Sequence, residues 1–253
     1  MPLKLYEPTR QASYDTAYNT YDVGWRDLGA RYKAQNILEV CDGRRFASAL
    51  ECGAGDGSVL RYLAKANFAP RLYASEISAS GTAVIQQRLE SQLAGVIRFD
   101  GYHLPLADDA CDIVVLTHVL EHVEHPRWLL RELRRVAPLL AIEVPLDYRP
   151  GIDRRTEALL AYGHISLFSP TTIRFLLRSE GLEAVAEKCS IINRELIEYQ
   201  YRMQHKRPMP LLQQALITLR RRLGSVRRHL LPKVWREELT YSAYTVLCRR
   251  SPS

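Results

Sequence analysis

The chain has 253 residues, an apolar share of 47% and a formal net charge of +7. This length suits one large domain or one domain with an appendage, and no apolar stretch reaches the roughly 18 residues that a membrane-spanning helix needs. Residues 1–10 lack the apolar core of a signal peptide, so we expect a cytoplasmic protein.

The positive charge is concentrated in one late segment. Residues 199–236 hold ten of the 35 Lys and Arg residues and no Asp or Glu. The rest of the chain has 25 basic and 28 acidic residues, which leaves it slightly negative. An anionic partner would therefore bind the late segment and not the body of the protein.

Apolar and aromatic periodicity predicts helices that alternate with strands. Residues 13–40 predict a helical lead-in, and we expect residues 1–44 to form a lid over a catalytic domain at 45–253. Strands are predicted at 46–51, 71–75, 95–99, 111–116, 139–144, 183–192 and 241–249, and helices at 58–64, 78–93, 129–136, 170–181 and 210–231. This alternation indicates an α/β fold with a parallel sheet and helices on both faces.

A glycine turn follows the first predicted strand. Gly53, Gly55 and Gly57 alternate shortly after Glu51 and precede a predicted helix. A strand, a tight turn and a helix N-terminus form a cradle for a ligand that lies against bare backbone. A dinucleotide-binding turn places its third glycine further along, as Gly-x-Gly-x-x-Gly, and a diphosphate does not favour a neighbouring carboxylate. We therefore expect a ligand with a cationic amino group.

Acidic residues also end the next two predicted strands. Glu76 ends the second strand, and Asp100 with Gly101 follows the third. The carboxyl ends of parallel strands share the edge where ligands bind. Glu76 can accept both hydroxyls of a ribose, and Asp100 can accept a hydrogen bond from an adenine amino group. Each acid alone could equally be a cap or a turn residue, and only the set indicates an adenosine ligand.

Over about residues 40–190 these features resemble the successive motifs of class I S-adenosylmethionine (SAM) methyltransferases. The similarity to the UbiE/UbiG-like branch extends to 117–126, 132–136, 142–145 and 163–170. It implies a Rossmann-like, doubly wound, seven-stranded sheet that is mostly parallel with an antiparallel last strand. It also implies that SAM is bound by Glu51, Gly53, Ala54, Gly55, Gly57, Glu76, Ile77, Asp100, Gly101, Thr117 and His118. The chain departs from the family in its tail, where a basic helical insertion at about 199–236 replaces a short hairpin.

The resemblance further implies methyl transfer to an oxygen, nitrogen or carbon of a modest-sized acceptor. SAM is already activated, so the protein mainly aligns the acceptor and removes a proton. His164, in the loop after the fifth strand, is the first candidate base, and His118, directly after the fourth, is the second. Each candidate also has a competing interpretation. His164 could cap backbone groups, and His118 could pack above the adenine. Histidine as the only obvious base favours O-methylation.

Further charged residues near this edge have less certain roles. His118, Glu121 and His122 would share one face of a helix and could bind a metal. A salt link within a common loop signature explains them as well, and we assign no metal. Arg31 or Lys33 could pair with the carboxylate of the cofactor, although solvation explains both charges more simply.

Two classes of nucleic-acid enzyme do not fit. Amino-methylating enzymes clamp a flipped base with Asp/Asn-Pro-Pro-aromatic after strand four, where this chain has Thr117-His118-Val119-Leu120. Cytosine-C5 enzymes need a cysteine nucleophile in a loop, and neither Cys52 nor Cys111 is placed for that role.

The helix predicted at 210–231 is amphipathic. Leu212, Leu216, Leu219, Leu223, Val226 and Leu230 mark one face, and Arg220, Arg221, Arg227 and Arg228 lie mostly away from it. Three interpretations stay open: packing of the apolar face on the protein, adsorption to an anionic membrane surface near a lipid-linked acceptor, and binding of a polyanion such as a nucleic acid or phosphorylated sugar chain. We expect a SAM-dependent methyltransferase for a small or lipid- or sugar-linked acceptor. An RNA methyltransferase and a non-catalytic SAM-binding partner module are the alternatives.

Overall fold

The computed structural model describes residues 22–89 and 92–251. The predicted lead-in before residue 22 lies outside this part of the chain. The strands are β1 (Ser48–Cys52), β2 (Arg71–Glu76), β3 (Gly95–Arg98), β4 (Ile113–Thr117), β5 (Leu139–Pro145), β6 (Leu182–Ser190) and β7 (Ala243–Arg250). The helices are α1 (Val23–Cys41), α2 (Ser58–Lys65), α3 (Ala79–Leu89), α4 (Pro126–Val136), α5 (Thr156–Ala161), α6 (Pro170–Ser179), α7 (Arg194–His205), α8 (Leu211–Leu230) and α9 (Lys233–Thr240).

The seven strands form one sheet in the order β3-β2-β1-β4-β5-β7-β6. Strands β1 to β5 pair in parallel, and β7 runs antiparallel to both β5 and β6. The expected Rossmann-like sheet with an antiparallel last strand is confirmed. The strand order reverses between β1 and β4, and a doubly wound sheet opens a ligand crevice beyond the carboxyl ends of the strands at such a point.

Helices cover both faces of the sheet, because alternate residues of each buried strand point to opposite sides. On one face, Leu50, Val114 and Ile142 pack with residues of α4 and α6. On the other face, Ala49 and Ile113 pack with residues of α1, α2 and α3. The first described helix therefore belongs to a structural layer of the sheet, since its residues Ala30, Ala34, Ile37, Val40 and Cys41 are all buried there.

Predicted and observed element boundaries differ by a few residues. Helix α4 begins at Pro126 and not at Leu129, because proline suits the first helical turn, where its missing N–H has no intrahelical partner. Helix α6 begins after Ser169 as expected, with Ser169 and Thr172 forming a reciprocal capping box.

The basic insertion does not interrupt the sheet. Helices α7, α8 and α9 all lie between β6 and β7 along the chain. These two strands nevertheless pair from Ser190↔Ala243 to Leu182↔Arg250, with one register shift between Ala184 and Ala186. Within the described ranges, none of the helices combines the length and the apolar character that crossing a bilayer requires.

Candidate functional site

A cavity of about 620 Å³ opens at the carboxyl edge of the sheet, a size typical of small-molecule sites. Its walls come from the glycine turn, the ends of β1, β2, β4 and β5, helix α1 and the start of α7. Of the predicted cofactor residues, the lining includes Glu51, Gly53, Ala54, Gly55, Glu76, Ile77, Gly101, Thr117 and His118. Gly57 and Asp100 are not part of it.

The glycine turn is held against β2 by backbone hydrogen bonds. Gly53 and Ala54 donate to the Ser75 carbonyl at 2.8 and 3.0 Å. Gly53 has a φ of 72°, and a Cβ there would lie 2.6 Å from Cγ2 of Val119. Gly57 has a φ of 75°, and its missing Cβ makes room for Leu89. Gly57 therefore serves the close packing of the turn on α3.

Glu51 ends β1 as a buried acid without a hydrogen-bond partner for one oxygen. The residue is 1% exposed, and no described residue hydrogen-bonds its Oε2 atom. Burial raises the pKa of Glu51 to about 8. Lys33 lines the same cavity. A buried carboxylate is costly unless a cation or a donor satisfies it, so Glu51 fits the ammonium group of the SAM that the sequence predicts.

Glu76 joins the turn to the end of β2. Its Oε2 accepts the backbone N–H of Gly55 at 2.9 Å, and its Oε1 accepts that of Ser78 at 3.1 Å. Burial raises the pKa of this carboxyl. Each carboxylate oxygen can accept two hydrogen bonds, so Glu76 keeps acceptor capacity for the hydroxyls of a ribose. A Cβ on Gly81 would lie 2.8 Å from Cγ of Glu76, so the glycine lets α3 approach this acid.

Asp100 lies outside the cavity and organises the turn beside it. Its exposed carboxylate accepts the backbone N–H groups of Tyr102 and His103 at 2.8 and 2.7 Å and lies 2.9 Å from Nδ1 of His103. Gly101 and Tyr102 of this turn line the cavity. A contact of Asp100 with adenine stays a prediction.

His118 stands on the cavity wall between two glutamates. Its Nε2 lies 3.2 Å from Oε1 of Glu143 and its Nδ1 3.3 Å from Oε1 of Glu121. Burial and Lys33 oppose the charged imidazolium, but these two carboxylates raise the pKa of His118. The residue has a φ of 55°, which turns the chain sharply after β4.

Glu143 is a cavity residue that the sequence analysis did not single out. It is buried within β5, lines the cavity and accepts hydrogen bonds from Asn36 at 2.9 Å and Thr245 at 2.8 Å. With His118 it links α1, β5 and β7 around the site. An acid inside the apolar run Ile142-Glu143-Val144 was the available signal, because buried strands seldom carry unpaired charges.

The helical face expected for His118, Glu121 and His122 does not form. Only Leu120–His122 adopts a 3₁₀ turn. Instead, the loop after β5 brings His164 next to His122, with ring centres 4.9 Å apart in an edge-to-face arrangement. Backbone N–H groups of Ile165 and Ser166 donate to the Glu121 carbonyl at 2.8 and 3.0 Å, which fastens the two loops together.

Glu121, His122 and His164 form a group that could hold a cation, since one ligand atom from each lies within 4.8 Å of the others. Nδ1 of His122 is 3.0 Å from the Gly163 carbonyl, and Nδ1 of His164 is 3.0 Å from Asp147. With Nδ1 donating, each ring presents the Nε2 lone pair, which is how second-sphere acceptors orient metal-binding histidines. Oε1 of Glu121 pairs with Nδ1 of His118, whereas its Oε2 makes no hydrogen bond to a described residue, although Glu121 is 1% exposed.

Of this group, only His122 lines the cavity. His164 lies behind it and is hydrogen-bonded to Asp147. The two predicted candidates for the base thus occupy different places: His118 faces the cavity, and His164 belongs to the group of three residues that could hold a cation. Arg31 pairs with Glu195 at the surface, whereas Lys33 lines the cavity.

Part of the chain is similar to a known protein family and to a curated protein. Residues 50–138 match the model of a methyltransferase domain family. The chain is 34% identical over 112 residues to an uncharacterised 37.1 kDa protein of transposon TN4556 from Streptomyces fradiae. This match covers 44% of the chain and 32% of the relative, so the chain spans about a third of the length of the curated relative it matches.

Solved structures share the fold at low sequence identity. A chain of the complex between the Haloferax volcanii Trm112 methyltransferase activator and a methyltransferase aligns with a TM-score of 0.65 and 16% identity, over 94% of this chain and 98% of that one. The [4+2]-cyclase SpnF aligns with a TM-score of 0.61 and 15% identity, over 88% of this chain and 81% of that one. Magnesium protoporphyrin IX methyltransferase from Synechocystis PCC 6803, with bound SAM, aligns with a TM-score of 0.52 and 14% identity. The alignment covers 90% of this chain and 80% of that one. Because a cyclase is among them, the fold alone does not establish methyl transfer.

Proposed function

We propose that the protein transfers the methyl group of SAM to an oxygen of a small or lipid- or sugar-linked acceptor. This proposal is supported by the match of residues 50–138 to a methyltransferase-domain model and by a fold shared with a methyltransferase complex. The acceptor oxygen attacks the methyl carbon, the carbon–sulfur bond breaks, and the sulfonium becomes the neutral thioether of S-adenosylhomocysteine. The acceptor hydroxyl loses its proton.

The Glu51 carboxylate carries this proposal. It is buried, one of its oxygens has no partner among the described residues, and it lies beside the glycine turn. A nucleotide with a diphosphate would be repelled there, whereas the ammonium group of SAM supplies the missing positive charge. Gly55 and Glu76 then receive the adenosine part of the cofactor.

The acceptor would enter beside α1 and α7. The cavity has apolar walls there, including Trp25, Ile192 and Leu196. Such walls suit an acceptor with an apolar body, because apolar surface is released from water on binding. In this proposal the paired side chains of His118 and Glu143, which line the cavity, together take up the proton of the acceptor.

Glu121, His122 and His164 support oxygen as the receiving atom. Two imidazoles and one carboxylate suit divalent cations such as Mn²⁺, Co²⁺ or Zn²⁺ and leave coordination positions open. A bound cation would lower the pKa of a hydroxyl that it contacts. We propose that these residues hold such a cation beside His122, and that His164 serves as a ligand and not as the base first expected.

The cofactor step is tested by titrating the full chain with S-adenosylhomocysteine in a calorimeter, for the wild type and for Glu51→Gln. We expect binding by the wild type and a loss of at least ~100-fold in the variant, because a cationic group then lacks its charged partner. If the wild type does not bind, neither a methyltransferase nor a non-catalytic SAM-binding module is correct.

The cation is tested separately by titrating Mn²⁺ into the wild type and into Glu121→Gln and His164→Ala. We expect saturable binding that each substitution weakens, and Mn²⁺-stimulated methyl transfer to a hydroxylated acceptor with methyl-labelled SAM. Equal Mn²⁺ binding by all three proteins would overturn the ligand assignment and return His164 to the role of a candidate base. Transfer that proceeds fully in a chelator would overturn the need for a cation.

A further inference from the structure

Helix α8 has an apolar stripe that points away from the rest of the protein. Each of the six residues at helical spacing in this stripe has an exposed side chain. They are Leu212, Leu216, Leu219, Leu223, Val226 and Leu230, and Leu223, for example, is 60% exposed. Of the three interpretations of this helix, packing of the stripe on the protein is wrong.

The opposite face of α8 is polar and holds the helix to the domain. Arg194 of α7 reaches Gln214 at 3.0 Å, and Arg221 donates to the carbonyl of Ile192 at 2.7 Å. A helix that contacts its domain through half-buried Gln214 and Arg221 and exposes its leucines presents its apolar face for a partner, because a contiguous apolar patch is otherwise costly in water.

Basic side chains flank the stripe. Arg220 and Arg222 are exposed, and at 100° per residue they fall on opposite sides of the leucine row. No Asp or Glu occurs in residues 199–236 to neutralise them. Trp235, which follows shortly in α9, is 61% exposed. An apolar row between cationic rows, with an exposed tryptophan nearby, matches a helix that lies in the headgroup region of an anionic bilayer.

Other occupants of this face fit less well. A nucleic acid would neutralise the arginines and could stack on Trp235, but it would leave the apolar side chains of the stripe uncovered. A second copy of the chain would cover the leucines, but a two-fold interface would bring the arginine rows of two copies together without acidic partners.

Helix α8 is anchored next to the cavity through the face opposite the stripe. Ile192, whose carbonyl accepts from Arg221, lines the cavity, and so does Leu196 of α7. We propose that the apolar stripe of α8 docks on an anionic membrane surface, so that an acceptor embedded in that surface reaches the cavity past residues 191–196. This proposal rests on the proposed function for the acceptor, whereas the docking itself can be measured without any transfer.

The test uses flotation of the full chain with vesicles of phosphatidylcholine alone and of phosphatidylcholine with about 30% phosphatidylglycerol. We expect the anionic vesicles to bind at least ~10-fold more protein, with the difference falling as NaCl rises from about 0.1 M to about 0.5 M. We expect Leu216→Glu/Leu223→Glu to lose this binding and Arg220→Glu/Arg222→Glu to weaken it. Leu160→Glu is the matched control, because Leu160 is an exposed leucine of α5 outside the stripe.

Each variant is also titrated with S-adenosylhomocysteine, which we expect to bind unchanged. Failure of cofactor binding in the wild type would count against the proposed function alone. Absence of wild-type binding to anionic vesicles, or equal binding by the Leu216→Glu/Leu223→Glu variant, would overturn the docking. A wild-type dimer in light scattering that the Leu216→Glu/Leu223→Glu variant does not form would also overturn it. So would binding to single-stranded RNA that is tighter than binding to the anionic vesicles and is kept by this variant.

Discussion

The backbone N–H of Gly55 donates to Oε2 of Glu76 at 2.9 Å, so the glycine turn after β1 and the acid at the end of β2 hold each other in place. Glu76 thereby supports the turn before any ligand binds. The acid that the sequence assigns to the ribose is therefore also a structural residue of the site.

Glu76→Gln is therefore expected to affect stability as well as binding. The amide of glutamine would point an N–H group at Gly55 or at Ser78, both of which donate to Glu76. Leaving such a buried donor unsatisfied costs ~1–3 kcal/mol. Thermal unfolding of the ligand-free protein should show this loss, and calorimetry should show weaker S-adenosylhomocysteine binding. Glu157→Gln is the control, because Glu157 is an exposed acid of α5 outside the cavity lining; equal stability of Glu76→Gln and wild type would contradict the prediction.

The affinity for the cofactor is expected to depend on pH through Glu51. Burial raises the pKa of this group to about 8, so the empty site is largely protonated at pH 6 and must release a proton to receive an ammonium group. The affinity for S-adenosylhomocysteine should rise up to ~10-fold per pH unit between pH 6 and 8. Calorimetry at several pH values checks this. In Glu51→Gln the residual affinity should not follow that slope.

The same group makes the ligand-free protein less stable as the pH rises. Its pKa is about 8 in the folded protein against an ordinary value of 4.5, so the unfolded chain loses this proton first. The contribution of Glu51 to the free energy of unfolding is fully present below pH 4.5. It is lost between pH 4.5 and about 8, where the free energy of unfolding falls by at most ~1.4 kcal/mol per pH unit. Glu51→Gln should therefore unfold at a higher temperature than wild type at pH 8.5. A lower unfolding temperature for the variant at that pH would refute the assignment.

Asp147 is expected to tune the cation-binding group through His164. It lies 3.0 Å from Nδ1 of His164, and Arg155 stands 3.4 Å from its other oxygen. Replacing such a second-sphere acceptor typically costs ~10–100-fold in metal affinity. Mn²⁺ titration of Asp147→Asn should show a loss in this range. Asp153→Asn, an exposed acid of the same connection, is the matched control and should bind as the wild type does.

Gly53 is expected to tolerate no side chain. A Cβ there meets a positive φ of 72° and also Cγ2 of Val119 at 2.6 Å. Gly151 shares the positive φ, but a Cβ at that position has open space around it. Gly151→Ala should cost ~1 kcal/mol from the backbone alone, and Gly53→Ala should cost more and weaken cofactor binding. Denaturant titration compares the free energies of unfolding of the two variants. Adding Val119→Ala to each should recover part of the lost stability in Gly53→Ala and none in Gly151→Ala. Equal losses in both glycine variants would show that the contact with Val119 is unimportant.

Much of the cofactor half of the site was predictable from the sequence, because its parts are contiguous. Glu51 and the glycines follow one strand directly, and Glu76 ends the next, so parallel pairing alone brings them to one edge. Asp100 shows the limit of this reasoning. A carboxylate after a strand can equally satisfy the backbone of its own turn, as Asp100 does with Tyr102 and His103.

The acceptor half depends on contacts between distant loops. The sequence placed His118, Glu121 and His122 on one helical face, whereas the backbone of His118 turns left-handed and His164 joins the other two. Likewise, periodicity located the leucine stripe of α8 but carried no information on which way it faces. That direction is set by polar anchors such as Arg221, whose partner carbonyl lies in a separate segment.

Ser190 pairs with Ala243 across β6 and β7, although α7, α8 and α9 lie between them along the chain. Closing so long a connection costs ~2 kcal/mol more than closing a four-residue hairpin, and such distant contacts form slowly. We therefore expect β5 to remain an open sheet edge until β7 pairs with it, and open edges favour aggregation. We expect the insertion that carries the basic helix to lengthen the time for which a folding chain can aggregate.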